Sequence, residues 1–74
     1  MKATFITIND NHITLGQFLK LSKVITNGGQ ARYFLSTNNV LVNELQEQRR
    51  GKKLYNGDIV TITNKQFVIQ TKGN

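Results

Sequence analysis

The sequence predicts one small α+β domain, in the order strand, helix, helix, then four further strands. Three observations carry that prediction. The chain has 74 residues and 38% hydrophobic content, enough for one modest core; a domain of about this size buries only about 60% of the surface its unfolded chain exposes. Helical spacing of apolar residues is confined to the stretch from Thr14 to Asn39. On either side, β-branched residues fall in short runs with a period of two. No proline, repeat or low-complexity segment marks a linker, so residues 1–74 read as a single domain.

Ala3 to Ile8 is rich in β-branched residues and predicts a strand, and Asn9-Asp10-Asn11-His12 reads as turn material. A helix start follows. Thr14 with Gln17 three positions on is a capping box, each side chain satisfying the other's free backbone N–H, and Ile13 with Phe18 fits the hydrophobic staple. The helix is expected over Leu15–Ser22, with Leu15, Phe18, Leu19 and Ser22 on one side and Lys20 and Lys23 toward another. Val24-Ile25-Thr26 is a short apolar link.

Asn27 is a good N-cap for a second helix, with Gln30 three residues later. Gly28-Gly29 is tolerable in a first turn only. Ala31, Phe34 and Leu35 form the buried face, Arg32 and Tyr33 face outward, and Asn38-Asn39 offers a left-handed residue to end the helix. The pair is helix-turn-helix-like. Beyond it, Val40-Leu41-Val42 is a strand, Asn43-Glu44 a turn, and Leu45 begins a weaker return strand. Tyr55-Asn56-Gly57-Asp58 is a turn with Gly57 available for positive φ. Ile59–Thr63 and Gln66–Thr71 are expected to form a hairpin closed around Asn64-Lys65.

Charge bounds the function. Ten Lys and Arg against four Asp and Glu give a net charge of +6, which concentrates any polyanion and speeds encounter with it. Nucleic acid is the commonest such partner; a membrane surface usually asks for a basic amphipathic helix, and none is present. The N-terminus carries a single Lys2 and no long apolar run, so no signal peptide or membrane span is expected. The absence of cysteine excludes disulfides and thiol chemistry and fits a reducing cytoplasm.

Enzyme chemistry finds little support. The single His12 lies in a polar stretch without a carboxylate partner, and Asp10, Glu44, Glu47 and Asp58 are each at or beside a predicted turn. Paired-carboxylate catalysis needs two acids across a cleft, and metal-ligand spacing is absent. No cofactor, metal or small-molecule substrate is expected. Gly28-Gly29 lacks the Lys-Ser or Lys-Thr of a P-loop. Glycines at a helix start still leave N–H groups open to an anion such as an RNA phosphate; close packing explains them equally well.

The densest cation cluster is Arg49-Arg50-Gly51-Lys52-Lys53. It reads either as a solvated loop that aids solubility or as part of a nucleic-acid surface. Lys20, Lys23 and Arg32 join it on one face if the helix pair lies on the sheet, and Tyr33 or Tyr55 offers an aromatic surface for an unpaired base.

The order of these segments is familiar. Thr14-Leu15 and Phe18-Leu19 lead to Asn27-Gly28-Gly29-Gln30-Ala31-Arg32, then Asn39-Val40-Leu41-Val42-Asn43, and finally Leu54-Tyr55-Asn56-Gly57-Asp58-Ile59-Val60. Over residues 13–62 this resembles the alpha-L RNA-binding motif, the S-four domain, and within it the stand-alone YaaA-type members that share ITLGQFLKL and RRGKKLYNGD. The resemblance implies two short helices packed on a bent, mostly antiparallel sheet. It also implies a non-catalytic RNA-binding role, toward ribosomal RNA or a ribosomal particle, with a basic face turned to structured RNA. Carried over by motif, the RNA-facing residues are Gly28, Gly29, Gln30, Arg32 and Tyr33, then Arg49, Arg50, Lys52 and Lys53, with Lys20 and Lys23 added from the end of the first helix. The chain departs from the family in two places. Gly28 stands where many members have Arg, which favours backbone contacts there. Glu44 replaces the glycine of the usual Asn-Gly turn; Glu is poor at positive φ, so a longer or differently shaped turn is expected, with an acid near the basic face.

Two other functions compete. A β-grasp sulfur carrier or interaction module also carries Val-x-Val-Asn and Gly-Asp-x-Val turns, but needs a C-terminal Gly-Gly, where this sequence reads Lys72-Gly73-Asn74. Duplex DNA binding through the helix pair needs several base-reading side chains on the second helix, where the outward residues are limited to Gln30, Arg32, Tyr33 and Ser36.

Overall fold

The computed structural model describes residues 3–72. Met1, Lys2, Gly73 and Asn74, on which the leader and sulfur-carrier arguments partly rest, lie outside them. The described elements are β1 (Ala3–Ile8), β2 (His12–Thr14), α1 (Leu15–Leu21), a 3₁₀ turn (Gly28–Gln30), α2 (Ala31–Thr37), β3 (Val40–Val42), β4 (Leu45–Gln46), β5 (Lys53–Tyr55), β6 (Ile59–Ile62) and β7 (Lys65–Thr71). A five-stranded sheet runs β1-β7-β6-β3-β4, and β2 with β5 makes a separate two-stranded ladder. Only the β1–β7 pairing is parallel; the others are antiparallel. This is the α+β class the sequence predicts, with a small second sheet added.

Alternation along the strands sets the core. Val40 and Val42, Val60 and Ile62, and Phe67 and Ile69 all point inward, and Leu15, Phe18 and Leu19 of α1 are fully buried against them. Phe18 meets Phe67 edge to face at 5.3 Å. From the other helix, Ala31 and Leu35 close the core, and Phe34 packs at its margin. Burying a Leu or Phe side chain stabilises by about 1.5–3 kcal/mol, so these few residues supply much of what holds a domain of this size together.

The capping box of α1 forms as expected: Thr14 Oγ1 accepts from Gln17 N at 3.2 Å, and Gln17 Oε1 accepts from Thr14 N at 3.0 Å. The helix stops at Leu21 in a Schellman motif that the sequence did not suggest. Val24 N–H donates to Leu19 O, and Lys23 N–H donates to Lys20 O, both at 3.0 Å. Lys23 holds the left-handed position with φ 65°, where glycine is favoured.

Elsewhere the structure corrects the expectations. His12 belongs to β2, opposite Tyr55, rather than to a loop; a three-residue strand is too short to show alternation. Asn27 opens a 3₁₀ turn and α2 begins only at Ala31, because Gly28-Gly29 does not favour regular helix. Asn38 is extended, at φ −125°, not left-handed. It ends α2 instead through its side chain and backbone, its Nδ2 donating to Phe34 O at 3.1 Å and its N–H to the same oxygen at 2.9 Å. The last hairpin closes one residue earlier than expected: Ile62 pairs with Lys65, and Thr63 takes φ 58°.

The Asn43-Glu44 turn is not lengthened. Val42 pairs with Leu45, so the loop has two residues, and both are left-handed, at φ 51° and 72°. Side-chain bonds hold it there. Asn43 Oδ1 accepts from Ile59 N at 3.0 Å, and Asn43 Nδ2 donates to Asp58 Oδ1 at 3.1 Å. Asp58 Oδ2 accepts from Tyr55 N at 2.7 Å, across a turn where Gly57 has φ 91°. The Val-x-Val-Asn and Gly-Asp-x-Val segments thus lock to each other.

Candidate nucleic-acid interface

The loop from Glu47 to Lys52 is shaped by one helix end and one ion pair. The first N–H groups of a helix lack intrahelical partners. In α1 two of them are satisfied by the loop: Leu15 N–H donates to Lys52 O and Gly16 N–H to Arg50 O, both at 2.8 Å. Arg50 Cβ and its carbonyl oxygen lie 3.4 Å from the position a Cβ on Gly16 would take, and Ala31 Cβ lies at 3.6 Å, so the site is closely packed with room for little more than a methyl group. The basic loop, α1 and the start of α2 thus meet at Gly16.

Around that point lies a groove of about 410 Å³, lined by Lys20, Gly28, Arg50 and Gly51 with Thr14, Gly16, Gln17 and Ala31. Three residues expected from the sequence, Lys20, Gly28 and Arg50, thus meet across about 30 positions of chain. Gly16 and Gln17 were not among the expected site residues. The available signal was a glycine in the first turn of a helix, where propensity disfavours it.

The other expected residues are placed as follows. Arg32 and Tyr33 stand exposed on α2, and Tyr33 is among the most exposed large side chains, at 73%. Lys53 is exposed on β5, opposite Thr14, and Lys52 is half-buried. Lys23 sits beyond the far end of α1 and does not line the groove of Arg50. Gly29 is exposed, and Gln30 turns its Oε1 back onto the chain, accepting from Thr26 N at 2.8 Å and Thr26 Oγ1 at 2.9 Å. Gly28 has open space where a Cβ would be and no left-handed backbone, so internal packing does not account for that glycine.

Arg49 is engaged. Its Nε and Nη2 donate to the two oxygens of Glu47 at 2.9 and 3.2 Å, and its backbone N–H donates to Oε2 at 3.0 Å. The guanidinium beside it holds the Glu47 carboxyl at about 2, well below the ordinary 4.5; the hydrogen bond to Arg49 is the largest cause. The acid that touches the basic loop is therefore Glu47, rather than the Glu44 that the sequence pointed to.

Among the described residues, no three or more His, Cys, Asp or Glu side chains are grouped to hold a metal ion. No described helix is long and apolar enough to cross a membrane.

The sequence itself is similar to that of known proteins. A relative described as "Probable ribosome maturation protein RlbA", from Bacillus subtilis (strain 168), is 58% identical over 57 residues, covering 77% of this chain and 80% of that protein. The S4 domain family model matches residues 6–70. This chain belongs to the S4 domain family, the non-catalytic RNA-binding family that its motifs resemble.

Proposed function

We propose that this protein acts in the cytoplasm in ribosome maturation, binding structured ribosomal RNA or a ribosomal particle through its basic face. The observation that carries the proposal is the capping of α1 by the loop carbonyls, which sets Arg50 over the groove shared with Lys20 and Gly28. The relative's description as a ribosome maturation protein supplies the biological setting. In this reading Lys20, Arg50, Lys52 and Lys53 neutralise phosphates, with Lys23 and Arg32 extending the face, while Arg49, bonded to Glu47, shapes the loop that presents them. Gly28 and Gly29 admit the RNA backbone close to the chain, Gln30 braces that turn, and Tyr33 offers an exposed ring to an unpaired base. Such contacts release counterions, so affinity falls steeply with salt. A-form helices present phosphates and 2′-hydroxyls rather than readable major-groove edges, so shape dominates recognition.

The test is fluorescence anisotropy of a structured ribosomal RNA fragment against the wild type and a variant with Arg49, Arg50, Lys52 and Lys53 all replaced by Ala. The reading expects weaker binding and a flatter salt dependence in the variant, and poor competition by duplex DNA at matched salt. Unchanged binding in the variant would overturn the site.

A further inference from the structure

We infer that the cleft between the end of β1, β2 and the outer side of α1 takes an unpaired nucleobase from the same RNA strand that occupies the basic groove. The inference rests on the RNA-binding reading above and goes beyond it by assigning a second subsite. The cleft has a volume of about 520 Å³. Its apolar walls are Ile8, Ile13 and Leu21, with Asp10 and His12 among the other residues lining it.

Two features single out a base as the occupant. The first is continuity: Gln17 and Lys20 line both this cleft and the groove of Arg50 and Gly28. A strand whose phosphates lie on Lys20 has the cleft immediately beside it. The second is chemistry. Apolar walls with a few polar groups suit a flat, heteroaromatic ligand. The Asp10 carboxylate accepts from an amino or imino N–H of a base edge. Gln17 spends its Oε1 on the Thr14 N–H at 3.0 Å, leaving its Nε2 as a donor. His12 is held by Tyr55, ring centroids 5.6 Å apart and planes tilted by 42°, so an aromatic surface stands among the cleft's linings. Leu21, 50% exposed on the protein alone, is an apolar wall that a bound base covers. Unpaired bases splayed out of a structured RNA and held this way are a general means of RNA recognition.

The experiment uses two RNA hairpins with identical stems and a single-nucleotide bulge. One bulge carries a fluorescent adenine analogue and the other is abasic. The inference expects the base-bearing hairpin to bind the whole protein about tenfold more tightly than the abasic one, with a change in analogue fluorescence on binding. Leu21→Gln should abolish both the preference and the fluorescence change while leaving the abasic hairpin's affinity intact, and Leu21→Met should retain them. Circular dichroism of both variants checks the fold. Equal affinity for the two hairpins, or a preference that survives Leu21→Gln, overturns the cleft while the RNA reading stands. Absence of salt-dependent binding to either hairpin overturns the RNA reading and the cleft with it.

Discussion

Arg49 and Arg50 are neighbours in sequence, yet the structure predicts that they contribute unequally to RNA binding. Arg50 gives its carbonyl to the Gly16 N–H and packs its Cβ close to Gly16. Arg50→Ala keeps both and removes only the guanidinium. Lys52→Ala likewise keeps the carbonyl that accepts from Leu15, and Lys53→Ala keeps the backbone ladder to Thr14. Removing one cation from its phosphate should lower the slope of log K against log salt by about 0.7–0.9, so the triple variant's slope should fall by about 2–2.7. Between 0.05 and 0.2 M salt, its deficit against the wild type should therefore shrink by about 20- to 40-fold. Arg49, pinned to Glu47 at 2.9 and 3.2 Å, should behave differently: Arg49→Ala should change the slope by less than about 0.3. The assay is anisotropy of a labelled structured RNA over that salt range, with thermal melts confirming that the Arg50, Lys52 and Lys53 variants stay within about 0.5 kcal/mol of wild type. An Arg49→Ala slope change equal to that of Arg50→Ala would refute the argument that Glu47 withholds Arg49 from phosphate. An unchanged slope in the triple variant would refute the placement of the face.

Three further outcomes follow from single positions. Lys23 occupies a left-handed position at φ 65°, so Lys23→Gly should raise stability by about 1 kcal/mol in urea unfolding while weakening RNA binding if its charge contributes. Gly28→Ala meets no neighbour and should leave the melting temperature unchanged or slightly raised, yet weaken RNA binding if a ligand backbone approaches there; unaltered affinity would remove Gly28 from the interface. Glu47 has its folded pKa lowered to about 2, so its pairing stabilises fully above the ordinary carboxylate value and is lost as pH falls through about 2. Urea unfolding should accordingly show Glu47→Gln less stable than wild type at neutral pH, with the gap closing toward pH 2.

Much of the architecture was legible because local signals and tertiary structure agree. The Thr14–Gln17 box starts α1 where the sequence places it, and alternation in Val40–Val42 and Ile59–Ile62 identifies the strands that bury Val40, Val42, Val60 and Ile62. What stayed hidden depends on partners distant in sequence. The three residues of β2 are a strand only because β5 lies beside them. Glu44 tolerates φ 72° in a turn whose neighbour Asn43 is tied to Asp58 and Ile59, a constraint that no turn propensity encodes. The same holds for the candidate site. Composition pointed to the 49–53 cluster, but only the loop's hydrogen bonds to α1 bring Arg50 to Lys20 and Gly28. Charge counting likewise could not show that Arg49 is committed to Glu47 or that Lys23 lies away from the groove.

Whether a face organised around Arg50 engages ribosomal RNA can be decided in cells, by crosslinking the protein to RNA, sequencing the bound fragments and following the protein through a sucrose gradient. Wild-type protein should crosslink to structured ribosomal RNA and sediment with ribosomal particles, and the Arg50, Lys52 and Lys53 triple alanine variant should remain near the top. A wild-type protein that stays at the top without ribosomal crosslinks would contradict engagement through that face, as would a triple variant that sediments like the wild type.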